Sequence, residues 1–411
     1  MLAKDYNNEF LRQIRMCAET THVLADGVTF DYLAQCVPAE EIKKTREVFL
    51  TGCGDSYCAC VAAKPVYENI ESDTSTGMNP GIPTEAFRCI EFTRYYDTYR
   101  RFWLSGFGRK IPLICGVSIS GSTIRPTEAL ARGNHYGAVT IAFTDHADSI
   151  LAKEAKYTVL LHSPATVHAP CVTTYQASTF ALMNFALYGS AVRGRMAMDE
   201  AIRQRDALLR YSDRFSGSFL NEMEERTYEL SQKWIAAGVD YMDFVGDSAD
   251  FATAFFGSAK MVESFGGVTT NDDSEGWNHI NYFIRNPETI GTFVIANSSS
   301  PSYSRARETI ETACALHRPV VVISDLGKDA FPDSCEVFTL PKPEYKWINP
   351  YLQHIPMDYI AAFTGLIQNI PDFRQDSELH KRDKGAARFL NSKIKIVGGD
   401  SRDYIFRKDF D

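Results

Sequence analysis

Several things are missing from this 411-residue sequence. No uninterrupted apolar stretch approaches the length needed to span a bilayer, and the N-terminus, MLAKDYNNEFLRQIRMCAET, has polar and charged residues where a signal peptide needs an apolar run. A protein that crosses no membrane and stays in the cytoplasm is expected. There is no basic excess: 43 Lys and Arg stand against 52 Asp and Glu, which argues against a life on nucleic acid or an anionic membrane surface. The ten cysteines contain no CxxC pair and follow no regular framework, and several fall inside apolar runs, which suits a reducing compartment. Two familiar phosphate patterns are also absent. GxxxxGK[ST] does not occur, and GxGxxG fails because Tyr57 stands where the third glycine belongs.

What is present is a regular alternation of short β-branched runs with helix-patterned segments, the signature of parallel strands joined by crossover helices. A first set reads REVFLTGC (46–53), IPLICGVSIS (111–120), GAVTIAFT (137–144) and KYTVLLHS (156–163). A second reads VDYMDFVGDS (239–248), GTFVIANSSS (291–300), RPVVVISD (318–325) and CEVFTLP (335–341). The last three strands of each set recur in the same order at an offset of about 180 positions, so one α/β unit is duplicated. With 45% hydrophobic residues the chain can fill two cores. The expected organisation is a helical lead (1–45), a first domain (46–195), a helical connector (196–235), a second domain (236–371) and a charged tail (372–411). Two insertions stand out. ESDTSTGMNPGIPTEAF (71–87) has the Gly and Pro of an irregular loop, and the aromatic run FTRYYDTYRRFWLSGF (92–107) is expected to pack as a helix on a domain face.

Between the strand at 111–120 and the following helix lies Ser118-Ile119-Ser120-Gly121-Ser122-Thr123. In open α/β sheets ligands gather beyond the carboxyl ends of the strands, where a helix N-terminus offers unpaired N–H groups and the positive end of its dipole. The run supplies hydroxyls from Ser118, Ser120, Ser122 and Thr123, free amides, and a Gly121 that lets the main chain come close. Three or four such hydrogen bonds to a charged group, at about 1.5 to 3 kcal/mol each, hold a phosphate without a lysine. Gly52-Cys53-Gly54-Asp55-Ser56 ends the first strand in a matching way, with Ser56 at the start of the next helix. An ordinary N-cap and a tight turn account for the same residues, and spacing alone leaves both readings open.

Taken together, the two loops resemble the sugar isomerase (SIS) domain family, whose phosphate loop reads SxSGxT and whose first loop reads GxGxS. The run GAVTIAFTDHADSILAKEAKYTV (137–159) is similar to the family's passage from the fourth strand through an SxLA segment into the fifth, and the resemblance covers residues 45–375. It implies two tandem flavodoxin-like SIS domains, each a parallel sheet flanked by helices, acting on a small-molecule sugar phosphate. No cofactor or metal is expected. Carried over by position, Ser56, Ser118, the Ile119 amide, Ser120 and Thr123 hold the phosphate, Gly54, Gly121 and Ser122 complete the site, and Thr173 and Thr174 line the sugar. In the family a catalytic glutamate lies on a helix early in the second domain, and a histidine follows sixteen residues later. GSAKMVESFGGVTTNDDSEGWNHINYF (257–283) carries Glu263 and His279 at that spacing, with Lys260, which matches a lysine of the family and is expected to contact the substrate, one turn before Glu263. Without the resemblance, an exposed helix glutamate and a loop histidine is the plainer reading. Family members draw the histidine from the neighbouring subunit, which implies a homodimer with its active site at the subunit interface.

Moving a carbonyl between C1 and C2 needs one base to take a proton from carbon and return it to the neighbour, work suited to a carboxylate whose pKa burial has raised. The resemblance gives that role to Glu263 and the ring-opening proton shuttle to His279. Some residues depart from the family pattern. Ile280-Asn281 follows His279 where the family has Gly-Pro, and NSSSPSYSRA (297–306) has Pro301 where the loop glycine belongs, so the second loop is expected to be structural. The acidic run NDDSEGWNH (271–279) reads as an exposed loop or a contact for an amine, and its spacing does not follow a calcium-binding EF-hand. No glutaminase domain is expected ahead of the first strand. NPYLQHIPMDYIAAFTGLI (349–367) is similar to the deglycase pattern PxLxxxPM[DE], which tilts the expectation to a fructosamine 6-phosphate deglycase. An aldose/ketose isomerase shares the first half of that chemistry. A phosphosugar sensor without turnover is the third reading, but such regulators carry a helix-turn-helix domain for which residues 1–45 are too short.

Overall fold

The structure, a computed structural model, describes residues 3–68, 81–96, 111–167, 169–371 and 373–378. The chain opens with α1 (Glu9–Arg15), α2 (Cys17–Gly27), α3 (Phe30–Cys36) and α4 (Ala39–Lys44). Asn8 and Thr29 start α1 and α3 by accepting the Leu11 and Tyr32 amides, groups a helix cannot satisfy internally. There follow β1 (Glu47–Gly52), α5 (Asp55–Glu68), β2 (Thr84–Arg88), β3 (Pro112–Val117), α6 (Ile124–His135), β4 (Val139–Thr144), α7 (Ile150–Glu154), β5 (Tyr157–Leu160) and α8 (Thr173–Val192). The strands make one parallel sheet in the order β2-β1-β3-β4-β5. Helices α9 (Met198–Asp213) and α10 (Gly217–Ala237) occupy the stretch expected to be helical.

The second half repeats the plan with β6 (Tyr241–Val245), α11 (Ala249–Phe265), β7 (Val268–Asp272), α12 (Ser274–His279), β8 (Ile290–Ile295), α13 (Tyr303–Ala315), β9 (Val320–Ser324), β10 (Glu336–Thr339) and α14 (Ile355–Ile367). Its sheet runs β7-β6-β8-β9-β10, the same connectivity as the first. The duplicated flavodoxin-like architecture expected from the sequence is therefore present. By internal contacts the described chain forms two compact units. The first-sheet unit takes in the described residues of 22–164 and 177–206, and the second-sheet unit those of 3–21, 165–176 and 207–378. No described helix is long and apolar enough to cross a membrane.

Two strands correct the sequence reading. β2 lies inside the stretch expected as an irregular loop at 71–87, and β7 was not foreseen. Both are edge strands, paired on one side and partly exposed, so TEAFR and VTTND lack the unbroken apolar run of β1, β3 and β4, which are buried throughout. Residues 71–80 of the first insertion, 97–107 of the aromatic run, and 372 and 379–411 of the tail lie outside the described residues. The described start of the aromatic run forms a single π-helical turn, Glu91–Tyr95, and packs Phe92 against Phe49, Phe87 and Tyr96.

One buried ion pair organises the second-sheet unit. Asp243 on β6 and Arg318, just ahead of β9, have no exposed side-chain surface and meet at 2.5 Å. Asp243 also accepts from Trp277 Nε1 at 3.0 Å and Thr270 Oγ1 at 2.6 Å, while Arg318 donates to Asn281 O at 2.5 Å and lies over the Trp277 ring. These contacts fix α12, and with it the position of His279. Replacing one partner leaves the other charge buried and alone, so Arg318→Met is expected to cost about 3 to 5 kcal/mol, read as an earlier urea midpoint. A midpoint equal to wild type contradicts this account.

A second buried group gives a pH dependence. Asp250, in the first turn of α11, accepts from Gln353 Nε2 at 2.8 Å and Asn297 Nδ2 at 2.9 Å. Burial nevertheless pushes its pKa up from the ordinary 3.8 to about 6, and the nearby Asp247 and Asp325 charges add to the rise. A carboxyl with a raised folded pKa favours the protein while protonated, so its contribution is complete at low pH and is lost as pH rises through the folded value. Between about pH 4 and pH 7 the wild type should lose on the order of 3 kcal/mol relative to Asp250→Asn. Parallel stability curves for the two proteins across that range refute the assignment.

Candidate functional site

Strands β1 and β3 are neighbours with Thr51 opposite Gly116, so the loops leaving their carboxyl ends begin side by side. In the first loop Gly54 adopts φ +55°, and a Cβ on Gly52 would lie 2.7 Å from the backbone carbon of Ser56. Only glycine at 52 lets α5 start that close, which brings the half-buried Ser56 to the strand end.

The second loop turns its carbonyls inward. Ile119 O accepts the Asp145 amide and the Thr144 hydroxyl, each at 3.0 Å, and Gly121 O accepts the Leu151 amide. Gly121 has φ +59°, and a Cβ there would stand 2.1 Å from Ser149 Oγ. The amides of Ile119, Ser120 and Thr123 have no acceptor among the described residues. Ser118 Oγ donates to Thr123 Oγ1 at 3.2 Å, and the exposed Ser120 and Ser122 hydroxyls share a bond of 2.8 Å. Thr123 is the N-cap residue of α6, yet its side chain makes no capping bond. The alternative that these hydroxyls merely cap the helix is thus not what the geometry shows. The loop presents O–H and N–H groups at a positive helix end.

The duplicated copy behaves differently. Ser298 stands 180 positions after Ser118, as Asp325 does after Asp145. In the second copy the Ser298 amide and hydroxyl both bond Asp325, at 2.6 and 2.5 Å, so a carboxylate of the chain itself occupies the loop. In the first copy Asp145 instead accepts the Ser163 amide, and Ser118 N bonds Phe143 O. The expectation that the second loop is structural agrees with this filling.

Arg125 was missed by the sequence reading, which searched the loop for hydroxyls. It is the second residue of α6 and pairs with buried Glu128, which also holds Arg94 at 2.6 Å. Arg305 and Glu308 repeat the pair in the second copy, a recurrence visible in the sequence at the same offset. The Cys53 thiol in the neighbouring loop is held below its ordinary pKa, first by its hydrogen bond with Cys89 and, against burial, by the charge of Arg125.

In the second-sheet unit, α11 carries Lys260 and Glu263 on one face. Lys260 has no exposed side-chain surface, and its Nζ meets Glu263 Oε2 at 2.6 Å and lies over the Phe256 ring. Phe256 stacks on Tyr175 at 4.0 Å and meets the His354 ring at 4.8 Å. His354 Nδ1 pairs with Asp358 Oδ2 at 2.5 Å, both wholly buried. Burial raises the Asp358 pKa, and the His354 and Lys260 charges oppose it. The carboxyl raised by burial is Asp358; Glu263 keeps 35% of its side-chain surface exposed and pairs with Lys260. His354 and Asp358 lie one turn apart inside the motif at 349–367, and that HxxxD spacing was the available signal.

Thr173 and Thr174 open α8 just ahead of Tyr175; Thr173 is buried, with its amide on Gln13 Oε1, and Thr174 is half-buried. His279 ends α12 with 72% of its side chain exposed, and its Nε2 meets Glu275 Oε1 at 2.9 Å rather than Glu263. The acidic run uses its carboxylates internally: Asp273 caps α12 through the Gly276 amide, and Glu275 also pairs with Arg305. Ser56, Ser118, Ile119, Ser120, Gly121, Ser122 and Thr123 belong to the first-sheet unit, and Thr173, Thr174, Lys260, Glu263 and His279 to the second.

No protein-family model matches the chain. It is 24% identical over 329 residues to the glutamine–fructose-6-phosphate aminotransferase (isomerizing) of Aquifex aeolicus, covering 79% of this chain and 49% of that one. The chain thus spans about half the length of the curated relatives it matches. Among solved structures, the C-terminal domain of glucosamine-fructose-6-phosphate aminotransferase from Francisella tularensis superposes with a TM-score of 0.74 at 14% identity, over 90% of this chain and 99% of that one. Glucosamine-6-phosphate deaminase from Thermotoga maritima does so with a TM-score of 0.57 at 18% identity, over 89% and 96%. Two parallel five-stranded sheets of identical connectivity and these likenesses agree: the chain has the fold of two tandem sugar isomerase (SIS) domains.

Proposed function

We propose that this chain binds a sugar phosphate at the 118–123 loop and is a fructosamine (ketosamine) 6-phosphate deglycase. The observation that carries the binding half is the contrast between the copies: the first loop presents hydroxyls and unaccepted amides, where the second is filled by Asp325. On this reading Ser56, Ser118, the Ile119 amide, Ser120 and Thr123 hold the phosphate, Gly54, Gly121 and Ser122 shape the cradle, and Thr173 and Thr174 line the sugar. Arg125 adds positive charge behind the loop.

Glu263 is the base. Lys260, buried and 2.6 Å away, aims its carboxylate. Glu263 removes a proton from C1 of the ketosamine, leaving an enolamine, and returns it to C2, giving the aldose imine; water then releases an amine and a hexose 6-phosphate. On this reading His279, exposed at the end of α12, serves a neighbouring copy as the ring-opening shuttle, in a homodimer. The motif at 349–367 favours the deglycase. An aldose/ketose isomerase without amine release is the second reading, favoured by the isomerizing relatives.

Incubation with a panel of ketosamine 6-phosphates and ketose 6-phosphates, with free amine and isomerised sugar assayed separately, tests the assignment. Amine release is expected, falling by about 100-fold or more in Glu263→Gln while ligand affinity is kept. Isomerised sugar without amine discards the deglycase, and tight binding without any turnover makes the protein a sensor. The loop has its own test. Gly121→Ala, forced to place a side chain at positive φ against Ser149, should lose about 1 to 3 kcal/mol of stability and at least tenfold in sugar phosphate affinity. Pro301→Gly in the second loop should leave affinity unchanged.

A further inference from the structure

A second concentration of positive charge lies at the opposite, amino end of the first sheet. A recess of ≈ 430 Å³ is walled by Lys43 and Thr45 at the end of α4, Arg46 ahead of β1, Ile82 ahead of β2, and Arg193 and Arg195 after α8. That volume falls within the range of small-ligand sites. Four cations line it, and no carboxylate does among the described residues, although acidic residues outnumber basic ones in the chain, 52 to 43.

The backbone sets these cations in place. Helix α8 ends in a Schellman turn: Arg195 N bonds Ser190 O and Gly194 N bonds Ala191 O, each at 2.9 Å, with Gly194 at φ +68°. The turn sets Arg193 and Arg195 on either side of the glycine. A Cβ on Gly189 would stand 3.0 Å from Arg193 Nη1, so glycine in the last turn leaves room for the guanidinium. Arg193 Nη2 donates to Thr45 Oγ1 at 2.9 Å, while its Nε is buried with no partner. Arg46 Nη1 is held by two carbonyls, Lys43 O at 2.7 Å and Thr45 O at 3.2 Å. Lys43 also reaches Glu40 at the surface. Burial pushes the Arg193 pKa down to about 10, and the charges of Arg195 and Arg46 push the same way. Guanidinium groups gathered this closely repel one another, and a bound anion would relieve that repulsion.

We infer that this recess is a second anion site, separate from the 118–123 loop, that takes a small polyanion of the phosphate or pyrophosphate class. Six-residue β1 puts about 20 Å between the two ends of the sheet, too far for one small ligand to span. The multiple donors favour a ligand with two or more negative charges, bound by Arg46 and Arg195 from the rim and by Arg193 from below.

The test uses the full chain carrying Ser118→Ala and Thr123→Ala, so that the loop does not contribute, with pyrophosphate as the probe in isothermal titration calorimetry. Saturable binding is expected, weakened at least tenfold by Arg46→Ala and by Arg195→Ala, and unchanged by Arg203→Ala, an exposed cation on α9. Circular dichroism confirms that each variant is folded. Three outcomes overturn the site: no saturable heat in the loop variant, binding untouched by both rim substitutions, or equal weakening by all three arginine substitutions. Binding seen only when Ser118 and Thr123 are intact assigns pyrophosphate to the loop alone and likewise ends the proposal.

Discussion

A lysine without water governs the second-sheet unit. Taking an ammonium out of solvent costs several kcal/mol unless an opposite charge and polarisable neighbours replace its hydration. Lys260 finds them in Glu263, 2.6 Å away, and in the face of Phe256. Phe256 is in turn locked between Tyr175 and His354, and His354 is held by Asp358. Each member restricts the next, so the direction of the Glu263 carboxylate is set by packing that reaches from α8 to α14. A half-exposed glutamate on a helix would otherwise sample several rotamers. Here its position follows from the need to neutralise its neighbour.

The duplication lets charge be compared at constant geometry. Both copies carry a serine at the strand end, an Arg–Glu pair one helical turn on, and an aspartate after the next strand. The two loops therefore differ less in fold than in the partner of this aspartate: Asp145 accepts the Ser163 amide, and Asp325 accepts the Ser298 amide. Glycine completes the difference, since Gly121 adopts a positive φ against Ser149 that Pro301 cannot reach.

How much of this was legible in the sequence depended on burial and on range. Strands covered on both faces, such as β1, β3, β4, β8 and β9, read directly as apolar runs with loop residues behind them. The edge strands β2 and β7 did not, because half their surface meets solvent and their composition follows suit. The phosphate-type loop was visible as a local pattern, but its distinction from a helix cap rested on which of its groups find partners, and those partners, the Phe143 carbonyl that accepts the Ser118 amide and the Thr144 hydroxyl that donates to the Ile119 carbonyl, lie far along the chain. Glu263 and Lys260 were legible by spacing; the buried His354–Asp358 pair was printed in a quoted motif yet has meaning only once Phe256 packs beside it. The acidic run at 271–279 read as a surface, whereas Asp273 is a cap, a role its local spacing to Gly276 already encoded.

The carboxylate of Asp325 has one more consequence. It is tethered beside Ser298, so it competes for that loop as an intramolecular partner, at an effective concentration of at least about millimolar order that does not vary with metabolism. Any free anion arriving there must displace a resident that cannot diffuse away. The second loop thus carries its own fixed counter-ligand, a partner that no change in the surroundings can dilute.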